Sequence, residues 1–404
     1  MVAGFEIGQI IQDFSVIMIV SSIMAIISFK FKQPLVIGYI IAGIIIGPFT
    51  PPFSLIKNFD ILNLFAEIGI ILLLFIVGME FPIEKLRNIG KKAMIIAFSE
   101  ALGTFSIGFS VSYFLLNFSL FDSAFVALAI SVTSTVIIMK VLEELNMIKE
   151  EAALIILGVA VIEDIIIISM LAILQSVSTS ENLSFIDIVL SLGITIGFIF
   201  GVLFLGSKTI PKFLNFIGKT NQHEVLLLAV LGIAFSLSFI AHEIGISVAT
   251  GAFFAGVLIA ESKVHAVTRV LTTPIRDMFG AIFFVSVGAL MDMSLLLVFI
   301  IPASILIIVS IAAKFLTVFV SSRSQQFSFS TSIKTAFGLS SSGGELALVA
   351  AKAGADTGLT STFLLPMIGA MTIITTFISP YLIKIGWKFT DNVLSKNKDK
   401  DNVK

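Results

Sequence analysis

Two adjacent carboxylates lie in the middle of a strongly apolar stretch of the chain. Glu163 and Asp164 follow about a dozen mostly aliphatic residues and are followed by four isoleucines. At a rise of about 1.5 Å per residue, that position is close to the middle of a bilayer. A charged side chain there costs about 2.5–3.5 kcal/mol on insertion scales, so each carboxylate requires a functional or structural reason.

Lys314 is the only basic residue that lies well inside a predicted span rather than within a few residues of its end, and we expect it to be the charge partner of the acidic pair. Neighbouring residues of a helix diverge by about 100°, so Glu163 and Asp164 cannot both face one point. The alternative without a transport role is a static ion pair between Glu163 and Lys314. We expect Asp164 to be the carboxylate that titrates or binds a cation.

Two groups of small and hydroxyl-bearing residues interrupt apolar spans and predict unwound helices. Such residues are poor helix formers, and non-helical backbone at membrane depth is tolerated where it lines a cavity or is buried in protein. Freed carbonyls and hydroxyls there can replace the water shell of a hard cation. Hydroxyls that bond back to their own helix are the alternative, and Glu345 could sense protons or cap half-helices. The groups are Ser131, Thr133, Ser134 and Thr135, and Ser340, Ser341, Ser342, Gly343, Gly344 and Glu345.

The composition indicates an integral membrane protein that is not an enzyme. Of 404 residues, 57% are hydrophobic and 13% charged, about half the usual charged share of ~25%. The absence of Cys excludes disulfides, thiolate metal sites and cysteine nucleophiles. Since no nucleotide-binding or zinc-protease motif occurs, we expect no cofactor, and the net charge of −1 gives no reason to expect nucleic acid.

Apolar runs predict an all-α protein with about 13 transmembrane helices and no soluble domain. Nearly all of the 25 basic residues then fall in loops on the side of the C-terminus, with Lys57 and Lys352 on the other side. The positive-inside rule therefore places the N-terminus outside and the C-terminus in the cytoplasm. The predicted spans are about 11–29, 33–49, 60–79, 92–116, 123–141, 151–175, 185–207, 223–241, 245–261, 277–290, 295–320, 332–353 and 359–387.

The chain carries an internal repeat. The pattern G-x-x-x-A-G begins at Gly38 in the second span and at Gly251 in the ninth, and the following span of each copy ends on a glycine, Gly78 or Gly288. Copies that are offset by an odd number of spans lie in opposite orientations, as in the inverted repeats of secondary transporters. The alternative is that both patterns are common helix-packing devices.

Four segments resemble signatures of the monovalent cation:proton antiporter-2 family, which contains NapA-like and Kef-like proteins. These segments are 32–48, 66–80, 251–261 and 274–288, and the resemblance covers nearly the whole chain. It implies inverted six-helix repeats with two unwound crossing helices and a homodimer. Asp164 matches the family's essential carboxylate, and Lys314 matches the basic residue that pairs with the preceding acid. The chain departs from the family at Glu163, where members often carry Asp or Asn.

The resemblance also implies a division of the chain. A dimerisation part and a core ion-transport part are joined by a linker helix and followed by a short cytoplasmic tail. The dimerisation part is approximately 11–79 with 223–290, and the core ion-transport part is approximately 92–175 with 295–387. The linker helix is approximately 185–207, and the tail is 389–404. We place crossings at Thr133–Thr135 and Ser340–Gly344.

Together these features predict exchange of a monovalent cation, Na⁺ or K⁺ with Li⁺ as a further candidate, for H⁺ at the cell membrane. The expected mechanism is elevator-like alternating access in which the cation and the proton compete for Asp164. Thr133 and Ser134 would contribute oxygen ligands, and a separate regulatory subunit is a further expected partner. The alternatives are a sodium-coupled organic-anion carrier, which would need basic groups at the midplane beyond Lys314, and a cation channel or non-transporting sensor, which would not need the Glu163–Asp164–Lys314 set.

Overall fold

The chain is helical and apolar throughout the part that the structure describes. The computed structural model describes residues 7–31, 33–50, 55–56, 58–79, 83–134, 138, 141–142, 147, 150–178, 193–194, 196–220, 222–244, 248–340 and 343–401. Within these ranges no β-strand occurs and nine helices are long and apolar enough to cross a bilayer. The prediction of an all-α, multi-pass membrane protein is confirmed, whereas the count of thirteen spans and the inversion of the repeat stay predictions.

We number the described helices in chain order. Two short π-helical turns also occur: Val111–Leu115 directly follows the helix that ends at Ser110, and Val202–Gly206 lies within the helix Ile196–Gly218. The helices are α1 (Ile7–Lys30), α2 (Leu35–Ile46), α3 (Phe59–Met79), α4 (Ile83–Ser110), α5 (Leu120–Ser131), α6 (Glu151–Ser178), α7 (Ile196–Gly218), α8 (His223–Glu243), α9 (Val248–Ala260), α10 (His265–Ala289), α11 (Leu296–Ser324), α12 (Phe329–Leu339), α13 (Glu345–Asp356) and α14 (Leu364–Asp401).

The helices form two compact units. Unit 1 comprises Met1–Glu84 and Leu171–Leu296, and unit 2 comprises Lys85–Met170 and Leu297–Lys404. Unit 2 contains Glu163, Asp164, Lys314 and both interrupted segments. The roles in dimerisation and ion transport that the resemblance implies for the parts of the chain stay predictions.

The repeated glycines of unit 1 bring helix backbones into direct contact. A Cβ on Gly43 of α2 would lie 2.1 Å from the carbonyl oxygen of Val285 in α10. A Cβ on Gly256 of α9 would lie 2.0 Å from the carbonyl oxygen of Phe75 in α3. Both positions admit only glycine without a shift of the backbone, so the second span of each copy packs on the third span of the other copy.

Two short helices of unit 2 begin with the same capping arrangement. The hydroxyl of Ser119 accepts a hydrogen bond of 3.0 Å from the backbone N–H of Asp122 at the start of α5. The hydroxyl of Ser328 accepts an equivalent bond of 3.0 Å from the N–H of Thr331 at the start of α12. These N-caps satisfy one orphan donor at each helix start and fix where α5 and α12 begin.

Some helices extend beyond their apolar runs, because hydropathy marks only the apolar part of a helix. The helix α7 reaches Gly218, past the predicted end at 207, and α10 begins at His265 rather than near 277. Residues 389–401, predicted as a tail, continue the helix α14. At the polar end of α7 the ammonium of Lys208 lies 4.1 Å from the centre of the Phe204 ring, which keeps the lysine stem on apolar surface.

Candidate functional site

The two interrupted segments of unit 2 lie side by side. The helix α5 ends at Ser131, and the backbone N–H of Gly343 donates a hydrogen bond of 3.1 Å to the carbonyl of Val132. Gly343 and Gly344 have φ angles of +103° and +136°, a region that side chains with a Cβ rarely adopt. A Cβ on Gly344 would also lie 3.0 Å from the Cβ of Ser134. The glycine pair therefore permits the backbone just before α13 to lie directly against the end of α5.

The freed carbonyls at the end of α5 are satisfied by α11. The hydroxyl of Ser310 donates to the carbonyl of Ile130 over 3.3 Å, and the ammonium of Lys314 donates to the carbonyl of Ser131 over 2.8 Å. The last carbonyls of a helix lack partners within it, and a cation at this end also interacts favourably with the helix dipole. Lys314 therefore acts first as a charged cap on a helix that ends inside the protein.

Lys314 also joins two buried carboxylates. Its Nζ lies 2.9 Å from Oε1 of Glu100 in α4 and 3.4 Å from Oε1 of Glu163 in α6. It donates a further short hydrogen bond to the hydroxyl of Thr133, which is itself a hydrogen-bond partner of Glu163. Glu100, Glu163 and Lys314 are each 0% exposed. The contact between Glu163 and Lys314 that the sequence left open is thus present, but it is the longer of the two ion pairs.

Asp164 occupies a different environment from its neighbour. It is only partly buried, whereas Glu163 is completely enclosed, and both residues lie in the middle of α6. The turn of about 100° between successive helical residues explains why one side chain joins the Lys314 network and the other is accessible. A partly exposed carboxylate can be reached from outside the packed interior by an ion or a proton, whereas an enclosed one cannot be reached directly.

Sequence reasoning underestimated Glu100. In the sequence, Glu67 and Glu100 fall in the first turns of apolar stretches, a position that predicts interfacial or inter-helix contacts. Because α4 begins at Ile83 rather than near 92, Glu100 lies deep in its helix, and its side chain forms the shorter ion pair with Lys314. The sequence signal for this role is an excess of acidic groups deep within the predicted spans, where Lys314 is the only basic residue far from a span end.

Several predicted site residues have local partners or lie outside the described part. The hydroxyl of Ser131 donates to the carbonyl of Ala127 over 2.8 Å, and that of Ser340 donates to the carbonyl of Ala336. Both hydroxyls thus bond back to their own helices, the alternative that the sequence left open. Thr135, Ser341 and Ser342 lie outside the described residues, and of Glu345 the structure describes the backbone only, as the first residue of α13.

Comparison with known proteins gives consistent matches. The profile of the family described as sodium/hydrogen exchanger, transmembrane, matches residues 16–385. YbaL of Escherichia coli (strain K12) is 30% identical over 283 residues, which are 68% of this chain and 50% of that protein. The K⁺/H⁺ antiporter subunit KhtU of Bacillus subtilis (strain 168) is 26% identical over 94% of this chain and 92% of KhtU. This chain thus spans only half the length of YbaL but nearly all of KhtU.

A solved structure also shares the fold. The sodium proton antiporter MjNhaP1 from Methanocaldococcus jannaschii superimposes with a TM-score of 0.70 at 18% sequence identity. The superposition covers 96% of this chain and 99% of that chain. At this identity the likeness concerns the fold alone.

Proposed function

We propose that this chain, which belongs to the sodium/hydrogen exchanger family of transmembrane proteins, exchanges Na⁺ or K⁺ for protons across the cell membrane. The family match extends over most of the chain, and KhtU, named as a subunit of a K⁺/H⁺ antiporter, is similar along nearly its whole length. The name of the family supports Na⁺ and that of KhtU supports K⁺. The N-terminus would lie outside and the C-terminus in the cytoplasm.

Asp164 is the carboxylate that would bind the cation and the proton in turn. The observation that carries this assignment is its partial exposure in the middle of α6, next to a completely buried Glu163 that joins the Lys314 network. Thr133 and Ser134 would supply oxygen ligands from the extended segment after α5. One lone pair of the Thr133 hydroxyl is engaged by Lys314, which leaves the other for a cation.

Exchange would follow from competition for this one carboxylate. A site that holds either a cation or a proton is neutralised, whereas a bare carboxylate would be costly to move through the dry part of the membrane. An empty site therefore stays where it is, which suppresses leak and couples the two ions. Unit 2 contains the whole described network and would carry it in elevator-like alternating access, while unit 1 would supply the contacts of a homodimer. KhtU is named as a subunit of an antiporter, which supports a separate subunit as a further partner, and we expect that subunit to be regulatory.

Proteoliposomes that contain the purified chain and an internal pH dye test the proposal. Addition of Na⁺ or K⁺ to the wild type should evoke proton movement, and the variant Asp164→Asn should abolish it while the protein remains folded. Asn keeps the shape of the side chain and removes the titratable group. The matched control is Glu67→Gln. This substitution neutralises a carboxylate in another apolar helix, α3 of unit 1, and should retain the wild-type response.

Each other outcome has a definite meaning. A wild type that is silent toward Na⁺, K⁺ and Li⁺ refutes antiport. Proton movement that persists in Asp164→Asn removes Asp164 as the carrier and points to Glu163. Titration of the wild-type response with each ion in turn identifies the transported cation.

A further inference from the structure

Glu100 is the closest carboxylate to the only ammonium in the described network around Glu163. It comes from α4, a helix that contributes no residue to the predicted ion site, and its Oε1 lies 2.9 Å from Lys314 Nζ. The Thr104 hydroxyl, one turn along the same helix, donates to this Oε1 over 3.4 Å. Both side chains are completely buried, so the ion pair is shielded from water.

The contacts of Lys314 show that the two carboxylates are held in different ways. An ammonium has three protons, and Lys314 has four acceptors within reach. Glu100, the carbonyl of Ser131 and the hydroxyl of Thr133 lie at shorter distances than Glu163, which is 3.4 Å away. The three hydrogen bonds of the ammonium go to the carbonyl of Ser131, the hydroxyl of Thr133 and, over 3.4 Å, Oε1 of Glu163, whereas Glu100 pairs with it through charge at 2.9 Å.

The position of this ammonium creates an electrostatic problem for cation binding. Lys314 touches Thr133, a residue expected to contribute an oxygen ligand, and like charges at short range in a poorly solvated site repel strongly. Glu163 alone would neutralise Lys314 but would then have no remaining negative charge to offer. With Glu100 present, the two carboxylates and the single ammonium carry a formal net charge of −1.

We propose that Glu100 is a positioning residue that holds Lys314 against the end of α5 and neutralises its charge, so that the neighbouring site binds a cation more tightly. Glu100 acts through Lys314 and touches neither the cation nor the proton. The proposal rests on the proposed function, because it assigns the cation site to the region around Thr133 and Asp164. Glu100 is a buried carboxylate that takes no part in the exchange of cation and proton itself.

The test compares cation binding in Glu100→Gln, Glu100→Asp and wild type by thermal unfolding in detergent at increasing NaCl or KCl. Choline chloride holds the ionic strength constant. Gln keeps the shape and removes the charge, so we expect the half-saturating cation concentration to rise about tenfold, the order expected when a unit charge is lost from a poorly solvated site. Asp keeps the charge but retreats by one methylene, so a rise of about threefold is expected. Glu67→Gln should match the wild type.

A merely structural role predicts a different result. If Glu100 only braces the fold, Glu100→Gln lowers the unfolding temperature without changing the half-saturating concentration, and that outcome overturns the proposal. Should Glu100→Gln fail to fold, Glu100→Asp decides, since an unchanged half-saturating concentration in that variant also overturns it. The same preparations are assayed for cation-evoked proton movement. A wild type that is stabilised by the cation but moves no protons refutes the exchange, while the thermal shifts still decide the role of Glu100.

Discussion

Replacement of Lys314 by Met tests the charge balance of the buried network. Met has a similar length and no charge, so Lys314→Met leaves Glu100 and Glu163 enclosed without their common counterion. Removal of one partner from a buried ion pair typically costs about 3–5 kcal/mol, because the remaining charge is left uncompensated. Two carboxylates share this ammonium, and the carbonyl of Ser131 loses its donor as well. We therefore expect the free energy of unfolding to fall by at least about 3–5 kcal/mol.

The chain offers a matched control for this substitution. Lys352 is also buried, but its partner Asp356, one turn along α13, is half exposed. An ion pair with a solvated partner contributes below about 1 kcal/mol. Lys352→Met should therefore reduce stability much less than Lys314→Met, although both variants remove a buried ammonium from a helix.

A compensated variant separates the charge effect from a packing effect. In Lys314→Met combined with Glu100→Gln and Glu163→Gln, no charge remains in the network, so most of the lost stability should return. The residual loss should be about 1–3 kcal/mol, the cost of a buried carbonyl such as that of Ser131 without its donor. Unfolding by guanidinium in mild detergent, followed by circular dichroism, measures all variants. The reasoning is refuted if Lys314→Met loses no more than Lys352→Met, or if the triple variant is no more stable than Lys314→Met.

Two further substitutions test the packing within the two units, one in each. Gly256→Ala places a Cβ about 2.0 Å from the carbonyl oxygen of Phe75 and should destabilise unit 1 by more than about 2 kcal/mol in the same assay. The control is Gly232→Ala, whose Cβ meets nothing within 4 Å and which should be neutral or slightly stabilising. Equal effects of the two substitutions would contradict the contact. Asp122→Ala removes the acceptor of two hydrogen bonds of 2.7 Å, from the N–H and the hydroxyl of Ser361. We expect the free energy of unfolding to fall by about 1–3 kcal/mol. A loss near zero would show that this link between α5 and the segment before α14 does not stabilise unit 2.

The membrane architecture could be predicted from the sequence because burial in lipid restricts composition strongly. Apolar runs locate spans, and the glycines at Gly343 and Gly344 mark an interruption, because few other residues tolerate positive φ. Boundaries were less predictable, since α10 continues as a helix through residues that are not apolar enough to be counted as a span. Hydropathy indicates which part of a helix lies in an apolar environment, whereas the ends of the helix are set by its backbone hydrogen bonds.

The pairing of the buried charges could be predicted only in part. Glu163 and Lys314 could be identified because a charged side chain within a membrane span has a high free-energy cost. Their contact is observed at 3.4 Å. The apolar run begins near residue 92, which places Glu100 close to the predicted start of its span, whereas α4 begins at Ile83. The distance from Lys314 to Glu100 is shorter than that to Glu163 by about half an ångström, a difference that arises from packing between helices that are distant in sequence.

The glycine contacts of unit 1 join the two copies of the repeat to each other. Gly43 of the first copy packs against the backbone around Val285 of the second, and Gly256 of the second packs against the backbone around Phe75 of the first. The neighbouring glycines repeat the exchange, because a Cβ on Gly78 would meet the carbonyl of Phe253 at 2.1 Å and one on Gly288 would meet that of Ile40 at 2.3 Å. Each copy thus completes the packing surface of the other, so neither copy can form these contacts alone. Substitutions in either motif should therefore weaken unit 1 as a whole rather than one half of it.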